Sequence, residues 1–187
     1  MILMILGLAL WFMTHLVPIM KPQRRAALVD RFGEIPYKAV YAVVSLVAVV
    51  LMVNGYKSAG IITVWSPPAF MVHINNLLMV FALLLFFAGR LPSHLRWITS
   101  NPQLVAVKTW ATAHLLVNGD LASIVLFGAL IAWGVMAAVA TKRRDGKRTE
   151  RPLATVAGTA INVVLGLVVY GAVAWVHGAL GVWPFAA

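Results

Sequence analysis

The sequence predicts an all-α, polytopic transmembrane helix bundle of about six spans, with the N- and C-termini both outside. The first observation behind this is composition: 62% of the 187 residues are hydrophobic and 11% are charged, against about 45–50% and about 25% in soluble domains. The second is run length, because a bilayer-spanning helix takes roughly 20 apolar residues. Six such stretches with short polar joints use up most of the chain and leave no room for a separate soluble domain. The third is the placement of the 15 Lys and Arg side chains, nearly all of which fall in alternate joints.

Residues 1–20 form the first span. No basic residue precedes the apolar run and no small-residue cleavage site follows it, so it reads as a retained helix and not as a signal peptide. The segment Pro22–Phe32 carries Ala26, Ala27, Leu28, Val29 and Phe32 beside basic residues, the pattern of a short helix lying in the cytoplasmic interface. Further apolar runs at 37–55, 69–89, 102–117, 121–140 and 154–178 complete the six. Residues 109–140 also read as one long helix, but five spans would put the most basic joint outside. A break at Asn118-Gly119-Asp120 restores the alternation.

With that break, the basic joints are the first (Lys21, Arg24, Arg25, Arg31, Lys38), the third (Arg90, Arg96) and the fifth (Lys142, Arg143, Arg144, Lys147, Arg148, Arg151). Against these 13 charges stands Lys57 alone in the second joint, with Lys108 left inside the fourth span as a snorkelling anchor. The positive-inside rule therefore places the basic joints in the cytoplasm. It also accounts for the net charge of +10 without nucleic acid, since basic clusters beside apolar spans match anionic lipid headgroups. The loop 142–151 reads as solvated, and the pairs Gly128/Ala132 and Gly134/Ala138 as small-residue packing positions.

The absence of cysteine excludes disulfides, thiolate metal sites and covalent c-type haem, so any cofactor takes His, Met or oxygen ligands. Ionisable groups at membrane depth are few and costly. His15 follows Trp11 by four residues and His114 follows Trp110 by four, which sets each imidazole against an aromatic wall on its own helix face. His15 precedes Lys21 by six residues and His114 follows Lys108 by six, so both lie about 9 Å from the cytoplasmic boundary if Lys108 marks it. A fourth span beginning near Trp97 would instead put His114 deeper. Two neutral imidazoles on different helices hold a b-type haem; otherwise each bonds a backbone carbonyl or a hydroxyl of a neighbouring helix. His73, with Asn75 and Asn76 near the outer face, reads as an interfacial helix start or as part of a cavity mouth. Asn118 shares the His114 face, and Asp120 reads either as the cap of the next helix or as a cavity group. His94 and His177 read as solvated. Common soluble-enzyme motifs are absent, and the five acidic residues form no intramembrane pair.

The residues Pro102-Gln103, Lys108, Trp110 and the run Ala113-His114-Leu115-Leu116-Val117-Asn118-Gly119-Asp120-Leu121-Ala122-Ser123 resemble the signature of the NnrU family of integral membrane proteins. That family is related to the zeta-carotene cis-trans isomerase of plants and phototrophic bacteria. The likeness extends to His15, Phe32-Gly33-Glu34, Tyr37, Val44-Ser45-Leu46, Gly55-Tyr56 and Trp65 before Pro67-Pro68, so it covers nearly all of residues 1–187 as one domain. It implies a multi-pass protein of the bacterial inner membrane that binds haem b, the two haem histidines falling on His15 and His114. Where the family often has His before Pro-Gln, this chain has Asn101. Where the isomerase has Cys three residues before the second histidine, this chain has Ala111, which closes a Cys-for-His ligand exchange.

Three functions follow as expectations. The first is a haem b protein associated with denitrification and nitrogen-oxide handling, in which an axial ligand must leave for a small ligand to bind, His15 being the labile one. It expects a small pocket reached from the outer face past His73 and Asp120. The second is a haem-dependent isomerase of a carotenoid-like polyene, which expects a lateral opening between the first and fourth spans. The third is a haem-free membrane scaffold, which expects His15 and His114 apart, each bonded to a neighbouring helix.

Overall fold

The computed structural model describes residues 1–146 and 150–185. Lys147 and Arg148 of the fifth joint lie outside the described residues. The fold is all helical: α1 (Ile2–Met20), α2 (Pro22–Phe32), α3 (Glu34–Lys57), α4 (Met71–Ala88), α5 (Pro102–Val117), α6 (Leu121–Asp145) and α7 (Val156–Ala179). Among the described residues, α1, α3, α4, α6 and α7 are long and apolar enough to cross a membrane. The fourth expected span, α5, is shorter at 16 residues. It nonetheless runs from one end of the bundle to the other, since its start lies against the end of α4 through Gln103 and Gly89 and its end meets the joint between α3 and α4.

Hydrogen bonds sort the joints into two sets. At one end, Thr155 N–H donates to Pro92 O (2.8 Å), Trp97 Nε1 donates to Pro152 O (3.1 Å), and His94 Nδ1 meets Thr159 Oγ1 (2.7 Å). The third and fifth joints therefore share a face, and they are two of the basic ones. His94 is held by this contact and is not freely solvated. At the opposite end, Gly119 O accepts from Val64 N–H (2.8 Å) and Trp65 N–H (3.1 Å), and Leu121 N–H donates to Ile62 O (2.8 Å). The two faces agree with the charge alternation, and the second face is called outer below.

The neighbour order is α3, α1, α6, α5, α4, α7. α1 and α3 approach closely because Gly7 lies under Ala48 O and Met52, and Gly55 under the Met4 backbone, leaving no space for a Cβ at either glycine. Gly134 gives the same clearance to the Lys108 side chain, whereas Gly128 faces open space and is not a packing contact. Between α7 and α4, the fully buried Asn162 donates from Nδ2 to Leu84 O (3.1 Å), an interhelical bond made where water is absent. α2 has the expected interfacial character, with no buried residue. α6 continues helically to Asp145, so the start of the expected loop at 142 is a helix end that places Lys142, Arg143 and Arg144 against the negative pole of its dipole.

Asp120 is the N-cap of α6: its carboxylate accepts from Ser123 N–H (2.9 Å) and from Ser123 Oγ (2.6 Å), while Tyr56 OH lies 2.8 Å from the same hydroxyl. Partial burial pushes the Asp120 carboxyl up, but these bonds outweigh it and hold it below the usual carboxylate range. The cap is thus intact at neutral pH, and its contribution disappears as pH falls through the lowered value.

Three outcomes follow. In thermal unfolding of detergent-solubilised protein, Asp120→Ala lowers stability by about 1 kcal/mol at pH 7, and the gap to wild type closes on acidification below the carboxylate range. Gly55→Leu, which forces α1 off α3, destabilises by about 1–3 kcal/mol or more. Gly171→Leu, where a Cβ meets nothing within 4 Å, leaves the unfolding temperature unchanged.

Candidate functional site

α5 and α7 run in the same direction and flank α4. His114 lies three residues before the last residue of α5, and His177 two before the last residue of α7. Both imidazoles therefore stand in the final outer turn of their helices. Between them is a cavity of about 320 Å³ that both rings line, together with Asn75 and Asn76 of α4, Asn118 after α5, and Tyr170. Gly181, in the left-handed region at φ 83°, reverses the chain beyond α7 so that Trp183 and Pro184 cover the cavity. Asn76 Nδ2 ties this cover down through Pro184 O (3.0 Å).

The tautomer of each ring follows from its backbone bond. His114 Nδ1 lies 2.9 Å from Trp110 O and His177 Nδ1 2.8 Å from Val173 O. A carbonyl only accepts, so Nδ1 carries the proton in both and Nε2 keeps its lone pair. His114 is also packed by Phe127 and Trp110, with ring centroids at 4.8 and 5.1 Å. Asn75, 8% exposed, donates from Nδ2 to Asn76 Oδ1 (3.1 Å), and its Oδ1 is buried without a partner. Asn118 donates to His114 O (2.8 Å) and shares the cavity wall.

His15 stands elsewhere. Its Nδ1 donates to Trp11 O (3.0 Å), so it has the same tautomer, but its ring is stacked on Trp11 at 3.7 Å and edged by Tyr41 (5.1 Å) and Trp133 (5.7 Å). It lines a separate cleft of about 290 Å³ with Arg25, Lys38 and Trp133. The Nε1 atoms of Trp11 and Trp133 are buried there without partners.

The depth match between His15 and His114 does not hold. α5 begins at Pro102, so His114 lies about 18 Å along it from the cytoplasmic end, while His15 lies about 7.5 Å from the end of α1. Lys108 is not the boundary: it snorkels down to line a cytoplasmic cleft with Asn101 and Lys142. Neither imidazole bonds a neighbouring helix; each bonds its own. His73 is exposed at the start of α4 and Asp120 serves as the cap, so of the three expected cavity groups only Asn118 lines the cavity.

The donor chemistry fits haem, because a neutral imidazole whose Nδ1–H is fixed to a carbonyl presents Nε2 as an iron ligand. His114 and His177 meet that condition within one cavity. His15 and His114 meet it in separate ones. Asn75 and Asn76 do line the cavity, as the cavity-mouth alternative expects, although His73 does not. His177, which the sequence reads as solvated, lines it too; the signal available was a polar residue within one turn of an apolar run.

No curated protein and no solved structure matches the chain. The family described as NnrU protein matches residues 3–184, nearly the whole length, and the chain belongs to the NnrU family.

Proposed function

We propose that this NnrU-family membrane protein binds haem b in the bacterial inner membrane and works in the nitrogen-oxide handling associated with denitrification, and that His114 and a second histidine would hold the haem. The observation that carries this reading is His114 itself: Nδ1 tied to Trp110 O, Nε2 without a partner among the described residues, and the ring on the wall of a cavity at the outer end of α5. His15 is the second ligand that the family resemblance implies, and it has the same tautomer.

When bound, haem supplies one-electron chemistry and an iron that takes diatomic ligands. The chain's own part is to orient and to exclude. Trp110 O fixes the His114 ring, Phe127 packs against it, and Trp183 and Pro184 wall the outer side of the cavity. A volume of about 320 Å³ is at the low end for small-molecule sites and suits a small ligand better than a long polyene.

A second reading, haem-dependent cis-trans isomerisation of a carotenoid-like polyene, is favoured by a different observation. An exposed groove of about 450 Å³ between α1, α2 and α3, walled by Met13, Val17, Leu28, Phe32 and Val44, is almost wholly apolar and shares Tyr41 with the His15 cluster. It lies between α1 and α3, not between α1 and α5, so a polyene there is beside His15 and remote from His114.

Protein purified in detergent from haem-replete cells is expected to show a b-type spectrum on reduction, and His114→Ala to lose it or convert it to a five-coordinate form. A colourless wild-type protein overturns the haem reading. A shifted Soret band on addition of nitric oxide, with no shift on addition of a C40 polyene, separates the first reading from the second.

A further inference from the structure

We propose that the cytoplasmic ends of α1 and α3, with α2 between them, form a site for one anionic phospholipid of the cytoplasmic leaflet, an acyl chain in the apolar groove and the phosphate at its basic rim. The proposal does not rest on the haem reading, and it gives the groove an occupant other than a polyene.

The groove has the form an acyl chain needs. It follows α3 from Pro36 to Val44, about 12 Å along the helix, and takes Met13 and Val17 from α1 and Leu28 and Phe32 from α2 as its other walls. α2 lies in the interface with no buried residue, so Leu28 and Phe32 hold apolar surface at the groove that the protein itself leaves exposed. A chain entering from the headgroup level covers that surface and continues toward the bilayer centre.

Charge at the rim selects the head. Two guanidinium groups are seated on rings that wall the groove, Arg25 on Tyr37 (5.7 Å) and Arg31 on Phe32 (5.2 Å). Glu34 is committed to Lys38 at 2.7 Å and acts on Arg25 only through space, so neither guanidinium has a salt-bridge partner among the described residues. The cleft of about 290 Å³ that contains His15 shares Pro18, Tyr37 and Tyr41 with the groove and adds Arg25, Lys38 and Trp133. Trp133 is buried and its Nε1 has no acceptor. Groove and cleft are thus continuous, one apolar and the other supplied with a guanidinium, an ammonium and an unpaired indole N–H, all donors to an oxyanion. Residues 21–38 carry five basic side chains against Asp30 and Glu34, so the surrounding field has the same sign. A hydrocarbon polyene answers none of these donors. A zwitterionic lipid brings its own ammonium to the phosphate, whereas an anionic lipid leaves that role to the protein.

Native mass spectrometry of the full chain in detergent, titrated with phosphatidylglycerol or with phosphatidylcholine of identical acyl chains, reads the site. One phosphatidylglycerol is expected to bind at least about fivefold more tightly than phosphatidylcholine, the factor that one basic side chain near a membrane surface supplies. Arg25→Gln combined with Arg31→Gln removes the preference, and Val40→Trp, which fills the groove, weakens both lipids. Arg143→Gln combined with Arg144→Gln, at the end of α6, changes neither. Arg25, Arg31 and Val40 are exposed, so these variants keep the wild-type unfolding temperature. Equal affinity for the two lipids, a preference that survives the α2 double variant, binding that Val40→Trp leaves intact, or a preference lost equally in the Arg143 and Arg144 variant overturns the site. Displacement of bound phosphatidylglycerol by a C40 polyene also overturns it and returns the groove to the polyene reading.

Discussion

The outer end of the molecule depends on how one turn satisfies its peptide groups. A chain that reverses within a bilayer has no water to take up free N–H and C=O groups, so such a turn survives only when protein supplies the partners. Here Gly119 O takes two N–H groups from 64–65 and Leu121 N–H reaches Ile62 O. Gly119 admits this approach because a Cβ there would strike the Trp65 carbonyl. Once those bonds are made, α5 can stop at Val117. His114 then sits in its last turn, Asn118 beside the cavity, and Asp120 at the head of α6. The cavity, its imidazole and the cap are all positioned by one short ladder between two joints.

Polarity is divided between the two histidine settings. The outer cavity has one buried unpartnered acceptor, Asn75 Oδ1, beside two imidazoles and the Tyr170 hydroxyl. The unpartnered groups around His15 include two indole N–H donors, on Trp11 and on Trp133, which is 6% exposed. Folded interiors keep few such groups, because each one left unpaired costs about 1–3 kcal/mol. The two settings thus present different polar groups around rings of the same tautomer.

Span positions were legible in the sequence because apolar run length and basic joints are one-dimensional signals. The starts and ends of α5 and the start of α6 fall where the Pro102 and Asn118-Gly119-Asp120 signals put them. The neighbour order was not legible. In lipid both the outward and the inward faces of a helix are apolar, so hydropathy carries no record of which helix packs on which. The pairing of His15 with His114 assumed Lys108 to be a depth marker, but a four-carbon stem decouples the charge from the backbone that carries it. Without that marker, what stands opposite His114 was set by the packing of α4 between α5 and α7, which brings His177 to the same cavity.

The helix that carries His114 is also the one that fits the bilayer worst. At 16 residues, α5 spans about 24 Å, against about 30 Å of hydrocarbon and against neighbours of up to 25 residues. Lipid meeting this sector thins or tilts to follow it, which draws headgroups and water down toward the cavity and gives the protein a preference for thinner membranes.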